Sequence, residues 1–242
     1  MDISRAKDVL DYWFSKGLYT ADYDKWFLKS QDYDEEIKEK FGDLLKEAEQ
    51  GNGFCWLHTK DSYVAHIILL DQFSRHIYRG SGDSFKNDNG AMIFASIGWN
   101  MYSKQLKGYE FMFAFMPYMH TENMSYQGAG CSGWHCIFEK YKNLYGTEKL
   151  GRALSIGNTE NPERLLTNPN KFNRDLFSIP AEKTNYDKEW EMLKSMEPHV
   201  KGHFQTIQKF GRFPKRNEAL GRKSTLEEIR YMEQPEVQKR PY

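Results

Sequence analysis

Residues 61–80 constrain the fold of this chain more than any other stretch. From Val64 to Leu70 the sequence is apolar at almost every position. Placed as a helix, such a run has no solvent face and must lie among other elements. The spacing predicts a helix over 61–77, buried on most sides. The run then turns polar without a break, through Asp71, Gln72, Arg75, His76 and Arg79 to Gly80. Asp71, Arg75 and Arg79 recur at i, i+4 and i+8 and share one helix face. Two readings stay open for them: a surface ion pair with a C-terminal cation and Gly80 as the cap, or one wall of an anion site.

The rest of the chain reads as further helices. Ser4 starts one that runs to about residue 16, with Val9, Leu10, Trp13 and Phe14 on its apolar stripe. Ile37, Phe41, Leu44, Leu45 and Ala48 mark a second over 33–50, and a third is expected over 87–105. Residues 108–118 are dense in aromatic residues and Met, and Pro117 is expected to kink or stop that helix. Over 121–145 the glycines Gly128, Gly130 and Gly133 predict a break. Residues 146–185 carry Asn-Pro pairs and other turn chemistry, and predict an irregular insertion with a short helix near 162–166. A helix resumes near 186 and continues, interrupted at Pro198, to about 210. Ser224 with Glu227 three positions on predicts a capping box for the last helix. The tail 234–242 holds two prolines and is expected to be loosely held.

No stretch alternates apolar and polar residues with the β-branched content of a strand. The class expected is all-α, with stacked antiparallel helix pairs in a single domain over 1–233. A chain of 242 residues is long enough for a substantial core. Mean hydropathy is low at −0.79, so the aromatic residues, 15% of the chain, carry much of the burial.

Lys plus Arg is 34 and Asp plus Glu is 34, which argues against nucleic acid or an anionic membrane as partner. Three cysteines, Cys55, Cys131 and Cys136, do not make a disulfide framework; read as reduced thiols, they favour a cytoplasmic location. No run approaches the length of a transmembrane helix.

A second basic segment lies far downstream. Arg212, Lys215, Arg216, Asn217 and Arg222 are interspersed with Gly211 and Pro214, which prevent a regular helix and predict a loop. Arginine forks there suit carboxylate or phosphate, or equally the tying of the last helix to the body. His120 and Glu122, two apart after the aromatic helix, can share a proton. His199 and His203 stand one turn apart, but no third ligand has a fixed spacing, and no metal or cofactor is expected. The Met and aromatic stripe of 109–119 reads as core before it reads as a cofactor pocket. Phosphate loops, nucleophile elbows and kinase motifs are absent from the sequence.

Taken in order, several motifs resemble one family. They are Val9-Leu10-Asp11-Tyr12-Trp13-Phe14, the segment Ile68 to Phe73 with Arg75 and Ile77-Tyr78-Arg79-Gly80, then Phe85 with Asp88. Met116-Pro117-Tyr118-Met119-His120-Thr121-Glu122 and Gln127 follow, then His203, Phe210 to Pro214, Arg216-Asn217, and Leu220 to Glu228. This pattern resembles the mostly bacterial family catalogued as domain of unknown function 924. The resemblance implies a tetratricopeptide-like superhelical fold and brings no reaction with it. Ser74, His76 and Lys215 stand where that family commonly has proline, asparagine and histidine.

Two functional expectations follow. In the first, the helices form a pocket for a small anionic ligand or an acidic peptide or protein segment, held by Asp71, Gln72, Arg75, Arg79, Arg212, Arg216, Asn217 and Arg222. In the second, His120 or His203, oriented by Glu122 or Asp71, does acid–base chemistry on a phosphate- or carboxylate-bearing substrate.

Overall fold

The structure, a computed structural model, describes residues 2–155 and 186–238. It is all-α, with no strand among those residues. The helices are α1 (Arg5–Trp13), α2 (Tyr23–Phe27), α3 (Gln31–Glu49), α4 (Lys60–Ile67), α5 (Ser74–Ile77), α6 (Asp88–Tyr102), α7 (Tyr109–His120), α8 (Met124–Ser155), α9 (Tyr186–Phe210), α10 (Leu226–Met232) and α11 (Pro235–Gln238).

Residues 60–77 form a single rod at the centre. It begins as α4, widens into a π-helical turn over Ile68–Phe73, and ends as α5. Every residue from Ser62 to His76 is buried. The continuous apolar run forces this placement, because no face of the rod tolerates water. Around it, α1 and α6 pack on α4, and α3 packs on the π turn and α5. Further out, α7 joins α6 to α8, and α8 pairs with α9.

The core is held by rings. Trp13 meets Phe73 and Phe113 edge-on at centroid distances of 5.4 and 5.3 Å, and Trp26 meets Phe113 at 5.0 Å. Edge-to-face contacts of this kind add to the stabilisation from burial alone. In a chain of low mean hydropathy they stand where aliphatic residues are scarce.

Several boundaries differ from those expected, each for a physical reason. The helix of Pro117 is not stopped; α7 continues to His120. Pro117 sits in its last turn, where one hydrogen bond is missing and tertiary packing compensates. Nor do the glycines break α8. A Cβ at Gly130 would lie 2.8 Å from Cβ of Tyr118, so this glycine permits close approach of α8 to α7. The same helix extends to Ser155, so the irregular insertion does not begin at 146; the short helix expected near 162–166 lies outside the described residues. Pro198 is likewise absorbed within α9.

At the last helix the cap is Thr225 with Glu228, one residue later than predicted. Ser224 Oγ instead accepts a bond from Asn217 Nδ2 at 3.1 Å, while Glu227 pairs with Lys209. The tail is held as far as α11 by Val237, which is 2% exposed.

Candidate functional site

Asp71 and Gln72 lie in the π turn. A regular helix would spread Asp71 and Gln72 over two faces 100° apart. Here both are buried, at 0% and 2% exposure, like the rest of the rod from Ser62 to His76. Wide turns of this kind often occur at functional positions. Asp71 faces the last residue of α7: His120 Nδ1 lies 2.8 and 2.9 Å from its two carboxylate oxygens. Gln72 Nε2 donates to Asp71 and also contacts the sulfur of Met116 at 3.2 Å.

From Asp71 the charges form a closed ring. Arg75, one turn on, stands 3.1 Å from Asp71 and 3.0 Å from Asp88 at the start of α6. Asp88 accepts from Arg216 Nη1 at 2.8 Å, and Arg216 Nη2 donates to the carbonyl of His120 at 2.9 Å. Four segments distant in sequence thus meet through five residues, and the two carboxylates cancel the two guanidinium charges. The Arg216 guanidinium also lies between the rings of Phe85 and Phe213, at 4.4 and 4.5 Å.

A second set of ion pairs holds the loop after α9. Arg222 grips Glu122 with both terminal nitrogens at 2.6 and 2.9 Å, and Glu122 accepts from the backbone N–H of Phe213. Arg212 holds Glu228 through Nε and Nη2 at 2.7 and 2.9 Å, and Asn217 donates to that carboxylate. These residues tie the loop and α10 to the end of α7. Glu122 therefore does not orient His120; Asp71 does. Arg79 lies apart, paired with Asp34 of α3 beside His76. The single convergent pocket expected for all these residues is instead a buried ring, an adjoining set of staples, and a separate pair on α3.

Electrostatics follow from this geometry. Burial pushes the Asp71 carboxyl up, but Arg75 and His120 outweigh it and hold the group ionised, well below the usual range. Burial pushes His120 down, against the opposing pull of Asp71. His203 is lowered to about 3, by burial first and the neighbouring His120 second. The Arg212 fork, working against burial, holds Glu228 down to about 2.

Beside the ring lies a cavity of about 320 Å³ between α7 and α9, with α2 at its edge. Met112, Met116, Met119 and Met196 supply much of its apolar wall, and Tyr23, Ser195 and the three histidines His120, His199 and His203 bring polar atoms to it. The rings of His120 and His203 are 6.0 Å apart, centroid to centroid. His203 Nδ1 donates to the carbonyl of His199 at 2.7 Å. Lys215 lines an adjoining cleft with Phe213 and Val237, which His203 also borders.

Among the described residues no three His, Cys, Asp or Glu side chains are grouped to hold a metal ion. None of the three cysteines forms a disulfide. No helix among the described residues is long and apolar enough to cross a membrane.

Sequence reasoning had Asp88 only as a motif residue beside Phe85 and missed it as the bridge of the ring, because its spacing ties it to no other charge. It also put core ahead of a ligand pocket for the Met stripe. The signal was there: Met112, Met116 and Met119 recur at i, i+4 and i+7 on the helix that ends in His120.

This all-α architecture with its buried charge ring has relatives. The model of the family described as bacterial protein of unknown function (DUF924) matches residues 9–236, and the chain belongs to that family. A solved structure, that of a protein of unknown function from Agrobacterium tumefaciens, has a TM-score of 0.63 and 24% identity. The match covers 95% of this chain and 97% of that one, and shows a shared fold. No curated protein matches the sequence.

Proposed function

We propose that the protein binds a small, largely apolar organic molecule in the cavity between α7 and α9, anchored at His120 and His203. The observation that carries this reading is the pairing of a methionine-rich wall with the buried imidazole of His120, oriented by Asp71, and the half-buried one of His203. Pockets for small molecules have this composition: mostly apolar, with a few placed polar groups. Methionine side chains adapt to varied ligand shapes.

The arginines speak against the anionic ligand that the sequence suggested. Arg75, Arg79, Arg212, Arg216 and Arg222 each face a carboxylate of the same chain. Their charge serves the fold, and a phosphate or carboxylate ligand would have to compete with an internal partner.

A thermal-shift screen tests this. Neutral phenols, alcohols and amides are expected to raise the melting temperature, while phosphates and dicarboxylates leave it unchanged. At a hundredfold excess over Kd the linkage is worth about 2.7 kcal/mol. Met196→Trp, which fills the cavity, is expected to abolish the shift. Stabilisation by anions alone would refute the reading.

A further inference from the structure

The wall of the cavity has a composition unlike that of the central rod. The rod buries aliphatic side chains, among them Val64, Ile67, Ile68 and Leu69. No Val, Leu or Ile among the described residues lines the cavity between α7 and α9. Its apolar side chains are Met112, Met116 and Met119 of α7, Met196 of α9, and Tyr23 and Phe27 of α2. The chain has 10 methionines, and four of them line this one cavity.

A thioether differs from a hydrocarbon in what it attracts. Its sulfur is polarisable and makes favourable contacts at the edges of aromatic rings, about 5 Å from the ring. Rings in turn pair with rings, offset or edge to face. Tyr23 and Phe27 stand at the edge of the cavity with centroids 6.1 Å apart and planes inclined by 33°. Burial alone would favour any apolar ligand; sulfur and ring contacts favour an aromatic one. Volume sets its size. A cavity of about 150 Å³ holds benzene. This one, at about 320 Å³, has roughly twice that room. Charge narrows the class further. No Lys, Arg, Asp or Glu among the described residues lines the cavity, so an ionic group on the ligand would be buried without an opposite charge.

We propose that the ligand is an uncharged, flat aromatic molecule of two fused rings, held among the methionines of α7 and α9. This rests on the cavity being the ligand site. Recognition of the rings needs no new hydrogen bond, so the bonds of His120 to Asp71 and of His203 to the carbonyl of His199 stay in place.

Isothermal titration calorimetry on the full-length protein tests this, with 2-naphthylmethanol and decahydro-2-naphthylmethanol as probes. The two share a hydroxymethyl group and a carbon skeleton. The saturated probe has the greater apolar surface, so burial alone would favour it. The aromatic probe is instead expected to bind about tenfold tighter. Benzyl alcohol, with a single ring, is expected to bind about tenfold weaker than 2-naphthylmethanol. Met119→Leu combined with Met196→Leu removes a sulfur from each helix by exchanges of similar volume, which cores tolerate. Met116 is left in place because its sulfur already meets Gln72 at 3.2 Å. In that variant the preference for the aromatic probe should fall to about threefold or less. Equal or tighter binding of the saturated probe, or a preference unchanged in the variant, overturns the aromatic assignment and leaves the cavity reading standing. Benzyl alcohol bound as tightly as 2-naphthylmethanol overturns the two-ring size. If no probe binds, the cavity reading falls, and the aromatic assignment with it.

Discussion

Replacing Arg216 with methionine tests the buried ring at the point where it closes. The substitution retains most of the apolar stem and removes the guanidinium. Lost with it are the 2.8 Å contact to Asp88, the 2.9 Å bond to the His120 carbonyl, and the packing against Phe85 and Phe213. Removing one partner of a buried ion pair costs roughly 3–5 kcal/mol. Asp88 keeps Arg75 at 3.0 Å, so the low end applies; the unpaired carbonyl adds about 1 kcal/mol. The expected loss is about 3–4 kcal/mol, or a melting temperature lower by about 6–15 °C for a chain of this length. Arg216→Lys should fall between parent and Arg216→Met, since an ammonium keeps the charge but cannot bridge both acceptors. Urea denaturation at constant m reads the loss. In a cycle with Asp88→Asn the two changes should couple by about 1.5–3 kcal/mol. A cost below about 1 kcal/mol, or additivity within about 0.5 kcal/mol, would refute the ring as a cooperative unit.

Three further outcomes follow from the same structure. Gly98→Ala would place a Cβ 2.2 Å from the ring of Tyr63, so a loss of about 1–3 kcal/mol is expected, partly recovered by Tyr63→Leu; a variant as stable as the parent would contradict the close approach of α4 and α6. His66, whose Nδ1 is buried without a hydrogen-bond partner, is lowered by burial from 6.5 to about 4. The unfolded chain therefore binds the extra proton first, so this contribution to stability is full above pH 6.5 and is lost as pH falls toward 4. The slope is about 1.4 kcal/mol per pH unit, and His66→Gln should remove it from the pH dependence of unfolding; an unchanged slope would sink the assignment. Thr225→Ala removes the cap that bonds Glu228 and should cost about 0.5–2 kcal/mol by thermal denaturation, whereas Ser224→Ala, one residue earlier, should cost less.

Much of the architecture was legible because helix periodicity is a local property. The apolar run Val64–Leu70 could be nothing but a central rod, and α3 follows its stripe of Ile37, Phe41, Leu44 and Leu45 to within two residues. Glycine and proline misled where their cost is set by neighbours. Gly130 was read as a break because a sequence shows the missing side chain but not Tyr118 standing in its place. Pro117 predicts a kink or a stop, but it costs little with only one more turn of α7 to make.

The candidate site divides along the same line. Sequence alone determined that Asp71, Arg75 and His120 were unusual, since each is polar beside a stretch dense in apolar residues, and that Arg216 stood in a loop crowded with cations. It determined the all-α class as well, because burial has to match the repeat of a helix. Tertiary structure decided which charges meet. An arginine carries the same fork wherever it lies, and its partner is set by which helices pack together. Only the packing of α5, α6, α7 and the loop after α9 could join Arg75 and Arg216 to Asp88, send Arg79 to Asp34, and leave two imidazoles facing a methionine-lined cavity.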